Sequence, residues 1–126
     1  MSESKNNLEI LFKKYNIVFF VTFNKKNEPS GRYMTVLNFE NSDPAEIFFV
    51  TNSESNKIKD ILQNDYVEIY LNTPMANGYL KYSGRAIIEK NQEIKKKLWH
   101  NLFLNWIPEG IKSKNYTVIK VKLKTK

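Results

Sequence analysis

The sequence contains no cysteine, and this absence excludes several kinds of functional site. Disulfide frameworks, thiolate catalysis and zinc–thiolate centres all require cysteine side chains. His100 is the only histidine, so sites that combine several histidine ligands are excluded as well. We interpret His100 as a surface or packing residue of a helix, because the sequence around it offers no group that would orient it as a base. The sequence therefore predicts no metal site and no catalytic pair or triad.

Segments that would cross a membrane or separate two domains are missing too. No stretch approaches the run of about 20 apolar residues that a membrane-spanning helix requires. The polar segment 1–14 lacks the apolar centre of a signal peptide, and no repeat or Pro/Gly-rich linker marks a domain boundary. We expect a single domain over residues 1–126, located in the cytoplasm and not associated with a membrane.

Arginine is scarce in a chain that is otherwise basic. The net charge of +7 comes almost entirely from lysine, and Arg32 and Arg85 are the only arginines. Bidentate recognition of bases and phosphates favours arginine, and the lysines are scattered along the chain. We therefore expect a solvated basic surface and no nucleic-acid partner.

The sequence does contain short segments with the composition of β-strands. Residues 66–72 alternate Val67, Ile69 and Leu71 with other residue types, as a half-buried strand does. The six predicted strands are 16–24, 31–40, 47–51, 66–72, 79–89 and 117–124. We expect Gly84 to mark a bulge or a close approach of two backbones.

Apolar residues at helical spacing predict three helices, which begin at Ser4, Ser55 and Asn91. Their apolar positions are Leu8, Leu11 and Phe12 in the first, Ile58, Ile61 and Leu62 in the second, and Ile94, Leu98, Leu102 and Trp106 in the third. Strands with short helices beside them predict an α+β fold that is mainly β. We expect a six-stranded antiparallel split barrel, because closure removes exposed sheet edges.

One strand-to-helix junction has the composition of an anion site. The predicted strand 47–51 runs into a helix start, where free N–H groups favour a nearby anion by about 0.3–1 kcal/mol. Thr51, Ser53 and Ser55 add hydroxyl groups there, and Lys57 adds a positive charge. The same residues are also compatible with an ordinary serine cap followed by a solvated lysine.

Arg32 is the second candidate for binding an anion. It begins a strand face that continues with Met34, Val36 and Asn38. An arginine in this position is either a rim residue whose stem covers apolar surface or a group directed at a phosphate. The residues alone leave both interpretations open.

Several segments follow one another in the order and spacing of a known family. They are Gly31–Met34, Phe48–Thr51, Ser55–Lys57, Val67–Leu71, Tyr79–Ala86, Leu98–Trp99 and Trp106–Gly110. From about Leu8 to Lys124, this ordered set resembles the pyridoxamine 5'-phosphate oxidase-like split-barrel flavoproteins. The segments around the two tryptophans are similar to the general stress protein 26 branch of that family.

The resemblance implies that FMN lies in a groove between the subunits of a homodimer. Lys57, helped by Asn56 or Ser55, would hold the phosphate, and Trp106 of the partner subunit would cover the flavin. The residues implied in cofactor binding are Arg32, Tyr33, Met34, Thr35, Phe49, Val50, Thr51, Ser55, Asn56, Lys57 and Trp106.

The chain also departs from the family's patterns. Pyridoxamine phosphate oxidases carry a lysine after the strand arginine and a C-terminal Arg-x-His segment, where this chain has Leu37 and ends in 120–124 without histidine. We therefore do not expect vitamin B6 oxidation. Tyr33 and the segment 111–114 also differ from what the general stress branch has at those points.

The resemblance thus implies an FMN-dependent oxidoreductase, or a flavin-binding stress protein, with an unidentified small-molecule substrate. Two other functions are compatible with the composition. One is a basic β-barrel that binds single-stranded nucleic acid through aromatic and lysine side chains. The other is a split barrel without a cofactor that serves as a structural dimer.

Overall fold

The computed structural model describes residues 16–39, 41–73 and 78–124, and for 72 and 73 the backbone only. The predicted opening helix, with Leu8, Leu11 and Phe12, lies outside the described residues. The strands are β1 (Ile17–Phe23), β2 (Pro29–Thr35), β3 (Glu46–Asn52), β4 (Tyr66–Thr73), β5 (Gly78–Glu89) and β6 (Tyr116–Leu123). The helices are α1 (Asn56–Gln63), α2 (Gln92–Leu98) and a 3₁₀ helix (Asn101–Asn105).

All six strands form one sheet in the order β2-β1-β4-β5-β6-β3, and each neighbouring pair is antiparallel. After β2 the chain leaves β1, and Leu37 pairs with Phe48 of β3 in an isolated bridge. This bridge joins the two outer strands, so the sheet curls round on itself. The predicted α+β fold, a mainly β six-stranded antiparallel split barrel, is confirmed.

The main hydrophobic core lies inside the curled sheet. Val67, Ile69 and Leu71 of β4 are fully buried there, as their alternation predicts. Phe20 of β1 packs against Phe49 of β3 with ring centroids 4.8 Å apart. Since an apolar side chain contributes about 1.5–3 kcal/mol on full burial, these residues account for much of the stability of the sheet.

A second core lies between the outer face of β3 and β6 and the C-terminal helices. It consists of Phe48, Leu98, Phe103, Ile107, Tyr116 and Val118. The Tyr116 hydroxyl donates a hydrogen bond to the carbonyl oxygen of Lys95 in α2. This cluster fixes α2 and the 3₁₀ helix against the sheet, and so it positions the residues that follow them.

Gly84 allows β5 and β6 to come into close contact. A Cβ atom added at Gly84 would lie 2.5 Å from the carbonyl oxygen of Lys122. A side chain would therefore push the two backbones apart. The predicted close backbone approach at Gly84 is confirmed.

The prediction of one long helix from Asn91 to the segment before Pro108 is wrong. Asn91 does cap α2, since its side chain accepts hydrogen bonds from the N–H groups of the first turn, but α2 ends at Leu98. Trp99 and His100 are extended, and the 3₁₀ helix begins after them. The break turns the Trp99 ring edge-on to Tyr116, with centroids 5.1 Å apart.

Two smaller predictions also need correction. The second strand ends at Thr35 rather than at residue 40, because the N–H of Val36 bonds to Asn16 and that of Leu37 bonds to Phe48. Leu62 is 71% exposed, so it does not share the buried face of α1. No helix within the described ranges is long and apolar enough to span a bilayer.

Candidate functional site

A cavity of about 750 Å³ opens between β2, the junction of β3 with α1, and the 3₁₀ segment. Its volume lies in the range of about 300–1,000 Å³ that is typical of small-molecule sites. The described residues that line it include three cationic side chains, Arg32, Lys57 and Lys97, and no aspartate or glutamate. The cavity is therefore suited to an anionic ligand.

Arg32 is held in place by the strand beside it. It lies opposite Phe20 in the β1–β2 pair, and its guanidinium carbon is 5.9 Å from the centre of the Phe20 ring. Nη1 donates to Thr22 Oγ1 at 3.0 Å and to the Phe20 carbonyl oxygen at 3.4 Å, and Nη2 donates to Ser30 Oγ at 3.2 Å. Burial lowers the pKa of Arg32, and the carboxylate of Asp60 partly offsets this shift.

Lys57 stands in the first turn of α1, because β3 leads directly into this helix. Its Nζ donates to Thr51 Oγ1 at 2.8 Å. Burial lowers the pKa of Lys57, and the nearby charge of Arg32 lowers it further. Two like charges thus share one partly buried space, an arrangement that a bound anion would stabilise.

The structure contradicts the interpretation of this junction as an ordinary serine cap followed by a solvated lysine. Ser55 is the N-cap residue of α1, but its side chain makes no capping hydrogen bond. Instead its Oγ accepts a hydrogen bond from Thr51 Oγ1, at 3.5 Å. Lys57 is not a solvated lysine, since it is half-buried and bonded to Thr51.

Aromatic side chains form the wall of the cavity that residues 99–106 contribute, which we call the aromatic wall. Trp106 stacks on Phe103 with ring centroids 5.6 Å apart and an interplanar angle of 25°. Trp99 meets Phe103 edge-on at 5.5 Å. Tyr33, which also lines the cavity, is 69% exposed. These planar apolar surfaces suit a flat aromatic ring system.

Eight of the eleven residues that the sequence predicts for the site line the cavity. They are Arg32, Tyr33, Met34, Thr35, Val50, Thr51, Lys57 and Trp106. The remaining three do not line it: Phe49 is fully buried in the core against Phe20, Ser55 lies behind Thr51, and Asn56 is exposed at the start of α1. The role of each in binding a cofactor stays a prediction.

The sequence analysis missed the residues that the break after α2 brings to the cavity. Lys97, Trp99, His100, Leu102 and Phe103 all line it. His100 caps the 3₁₀ helix, since its Nδ1 accepts a hydrogen bond from the N–H of Leu102 at 3.0 Å. One signal was available. Bulky apolar residues from Leu98 to Ile107 would cover about two thirds of the circumference of a continuous helix, wider than a single packing stripe.

Three comparisons place this fold among known proteins. The family model described as pyridoxamine 5'-phosphate oxidase like matches residues 3–126. General stress protein 26 of Bacillus subtilis (strain 168) is 27% identical over 100 residues, which cover 77% of this chain and 68% of that protein.

Solved structures show the same fold. The general stress protein 26 of Bacillus anthracis (strain Sterne) aligns with a TM-score of 0.78 at 23% identity, over 94% of this chain and 88% of that one. An FMN-binding, pyridoxamine 5'-phosphate oxidase-related protein of Nostoc punctiforme aligns with a TM-score of 0.68 at 14% identity, over 94% and 76%.

Proposed function

The chain belongs to the pyridoxamine 5'-phosphate oxidase-like family, and from this premise we propose that it is an FMN-binding flavoprotein. We infer further that it acts as a flavin-dependent oxidoreductase on a small-molecule substrate that stays unidentified. One observation carries the proposal: Arg32 and Lys57 lie together in a cavity whose described lining has no acidic side chain.

The phosphate of FMN is the group that these two cations fit best. A phosphate monoester carries a charge of about −1.5 to −2 at neutral pH, which offsets two adjacent positive charges. The guanidinium of Arg32 can donate two parallel hydrogen bonds to phosphate oxygens, and Lys57 adds a point charge. The N–H groups of the first turn of α1 favour an anion in the same place.

The rest of the cavity fits the flavin part of the molecule. Trp99, Phe103 and Trp106 present planar apolar surfaces, and Tyr33 and Met34 of β2 also line the cavity. FMN, when bound, supplies the electron transfer, while the protein binds and orients it and excludes water. A chain with no cysteine and one histidine is compatible with this division of work.

The proposal does not extend to vitamin B6 oxidation. Leu37 follows β2, where the pyridoxamine phosphate oxidases carry a basic residue. The C-terminal strand ends in lysines that alternate with apolar residues, and residues 120–126 include no histidine. The groups that would hold the phosphate of pyridoxal are therefore not available in those positions.

We propose in addition that the protein is a homodimer with the cofactor at the interface. Two large side chains at the cavity are exposed, Tyr33 by 69% and Trp106 by 57%. Ile17, which is 62% exposed, lies beside Tyr33 in the β1–β2 pair, opposite Thr35. Exposed large apolar side chains on and beside a cavity are typical of protein interfaces. A second copy of the chain would cover them and close the cavity over the flavin.

The absorption spectrum of the purified protein, before and after incubation with FMN, tests the flavoprotein proposal. We expect flavin bands in the visible region that stay with the protein through gel filtration and are released as FMN on denaturation. A folded protein that stays colourless after incubation with FMN would leave the cofactor-free structural dimer as the better account.

A further inference from the structure

Thr22 is a fully buried hydroxyl residue that connects two charged side chains. It lies in β1 and is 0% exposed. Its Oγ1 donates a hydrogen bond to Asp60 Oδ2 at 2.9 Å and accepts one from Arg32 Nη1 at 3.0 Å. The chain of contacts therefore runs from a carboxylate on α1, through Thr22, to the guanidinium in the cavity.

The direction of these two hydrogen bonds is fixed by chemistry. An ionised carboxylate only accepts and a guanidinium only donates, so the single hydroxyl hydrogen of Thr22 must point at Asp60. The lone pairs of Thr22 are then turned toward Arg32. Hydrogen bonds linked in this way polarise and strengthen one another in a buried setting.

The helix α1 helps to position two of the three cations that line the cavity, Lys57 and Arg32. Lys57 stands in its first turn, and Asp60, three residues later, holds Thr22. The packing of α1 against β1 thus sets the position of Arg32 relative to Lys57. Neither Thr22 nor Asp60 is among the residues that line the cavity.

We propose that Thr22 and Asp60 are positioning residues that orient Arg32 for the phosphate group of the ligand. This inference rests on the proposed function, because it assumes a phosphate-bearing ligand in the cavity. Three of the five N–H donors of Arg32 are used by Thr22, Phe20 and Ser30. The remaining two donors are the ones that the Thr22–Asp60 link directs to the phosphate.

Two substitutions and one rescue test the inference in the full-length protein. Thr22→Val keeps the shape of the side chain and removes the hydroxyl, and Thr22→Ser restores the hydroxyl. Asp60→Ala removes the carboxylate that accepts from Thr22, so the Thr22 hydroxyl is no longer held toward α1. The dissociation constants of FMN and of riboflavin, which lacks the phosphate, are measured by flavin fluorescence for each variant.

We expect Thr22→Val and Asp60→Ala each to weaken FMN binding about tenfold, the scale of a lost hydrogen bond to a charged group. Riboflavin should bind all variants alike, and Thr22→Ser should bind FMN as the wild type does. An unchanged FMN affinity in both substituted variants, or an equal loss for FMN and riboflavin, would overturn the inference. If Thr22→Val does not fold, the Asp60→Ala result decides.

A second readout separates this inference from the proposed function. The melting temperature of the wild type is compared in inorganic phosphate and in chloride at equal ionic strength. If the wild type bound no FMN but gained stability in phosphate, and Thr22→Val lost that gain, the inference would stand while the FMN assignment failed. A wild type that responds to neither FMN nor phosphate would overturn both.

Discussion

At the scale of single residues, Lys57 is the side chain whose setting points most directly to a ligand. Its Nζ is bonded to a buried threonine, and Arg32 is close enough to lower its pKa. A lysine kept beside another cation is stabilised only when something negative joins them. The substitution of this residue therefore gives the sharpest test at this scale.

We expect Lys57→Ala to weaken FMN binding by about 1.5–3 kcal/mol, the range for a hydrogen bond to a charged group. Riboflavin should bind the variant and the wild type almost equally. Fluorescence titration of both flavins measures the effect. Lys59→Ala is the matched control, because Lys59 is an exposed lysine two residues later in the same helix and should leave both affinities unchanged. An equal loss of both flavins in Lys57→Ala would show that Lys57 supports the fold and does not bind phosphate.

At the scale of secondary-structure elements, the attachment of α2 to the sheet decides the shape of the cavity. Tyr116 of β6 is 1% exposed, and its hydroxyl bonds to a carbonyl oxygen of α2. Burial raises the pKa of Tyr116 from 10.0 to about 12. The protonated hydroxyl therefore contributes stability that is fully present below pH 10 and is lost as the pH rises toward about 12.

We expect Tyr116→Phe to lower the free energy of unfolding at neutral pH by about 0.5–1.5 kcal/mol, the usual contribution of a hydrogen bond. Between pH 10 and about 12 the difference between variant and wild type should shrink, because only the wild type has this group to ionise. Urea unfolding at several pH values measures both effects. Tyr79→Phe serves as the control, since Tyr79 is 65% exposed. A difference that stays constant up to pH 12 would contradict the assignment.

The elements that the sequence predicts well are those whose pattern is local. The alternation of Val67, Ile69 and Leu71 identifies β4, and the run of β-branched and aromatic residues identifies β1, because each pattern reports burial within one strand. The end of α2 could not be predicted in this way. The end of this helix depends on the contact of Trp99 with Tyr116, which lies 17 positions later in the chain. Their ring centroids are 5.1 Å apart.

In the candidate site, too, the residues in an unusual local setting could be predicted and those that depend on long-range contacts could not. Arg32 and Lys57 could be found from the sequence because each is a charge in an unusual local setting. In the link from Arg32 through Thr22 to Asp60, the two hydrogen bonds join residues 10 and 38 positions apart, and nothing in the local pattern marks it. The sequence analysis did not place Trp99 and Phe103 in the site, because the single long helix that it predicted from Asn91 would have turned these side chains in other directions.

At the scale of the whole molecule, the main expectation is assembly into dimers. Light scattering at micromolar concentration should give twice the 14.9 kDa mass of one chain. We expect Ile17→Asp to shift the protein toward the monomer, because it places a charge among the exposed apolar residues next to the cavity. Lys59→Ala, a change on an exposed helix face, should leave the mass unchanged. A monomer mass for the wild type would contradict the dimer.

The central claim is that the cavity recognises FMN through its phosphate. Calorimetric titration of the wild type with FMN and with riboflavin, side by side at one salt concentration, tests it most directly. We predict that FMN binds more tightly by a factor of about ten or more, since Arg32, Lys57 and the start of α1 act only on the phosphate. Equal affinities for the two flavins, or no binding of either by the folded protein, would contradict the claim.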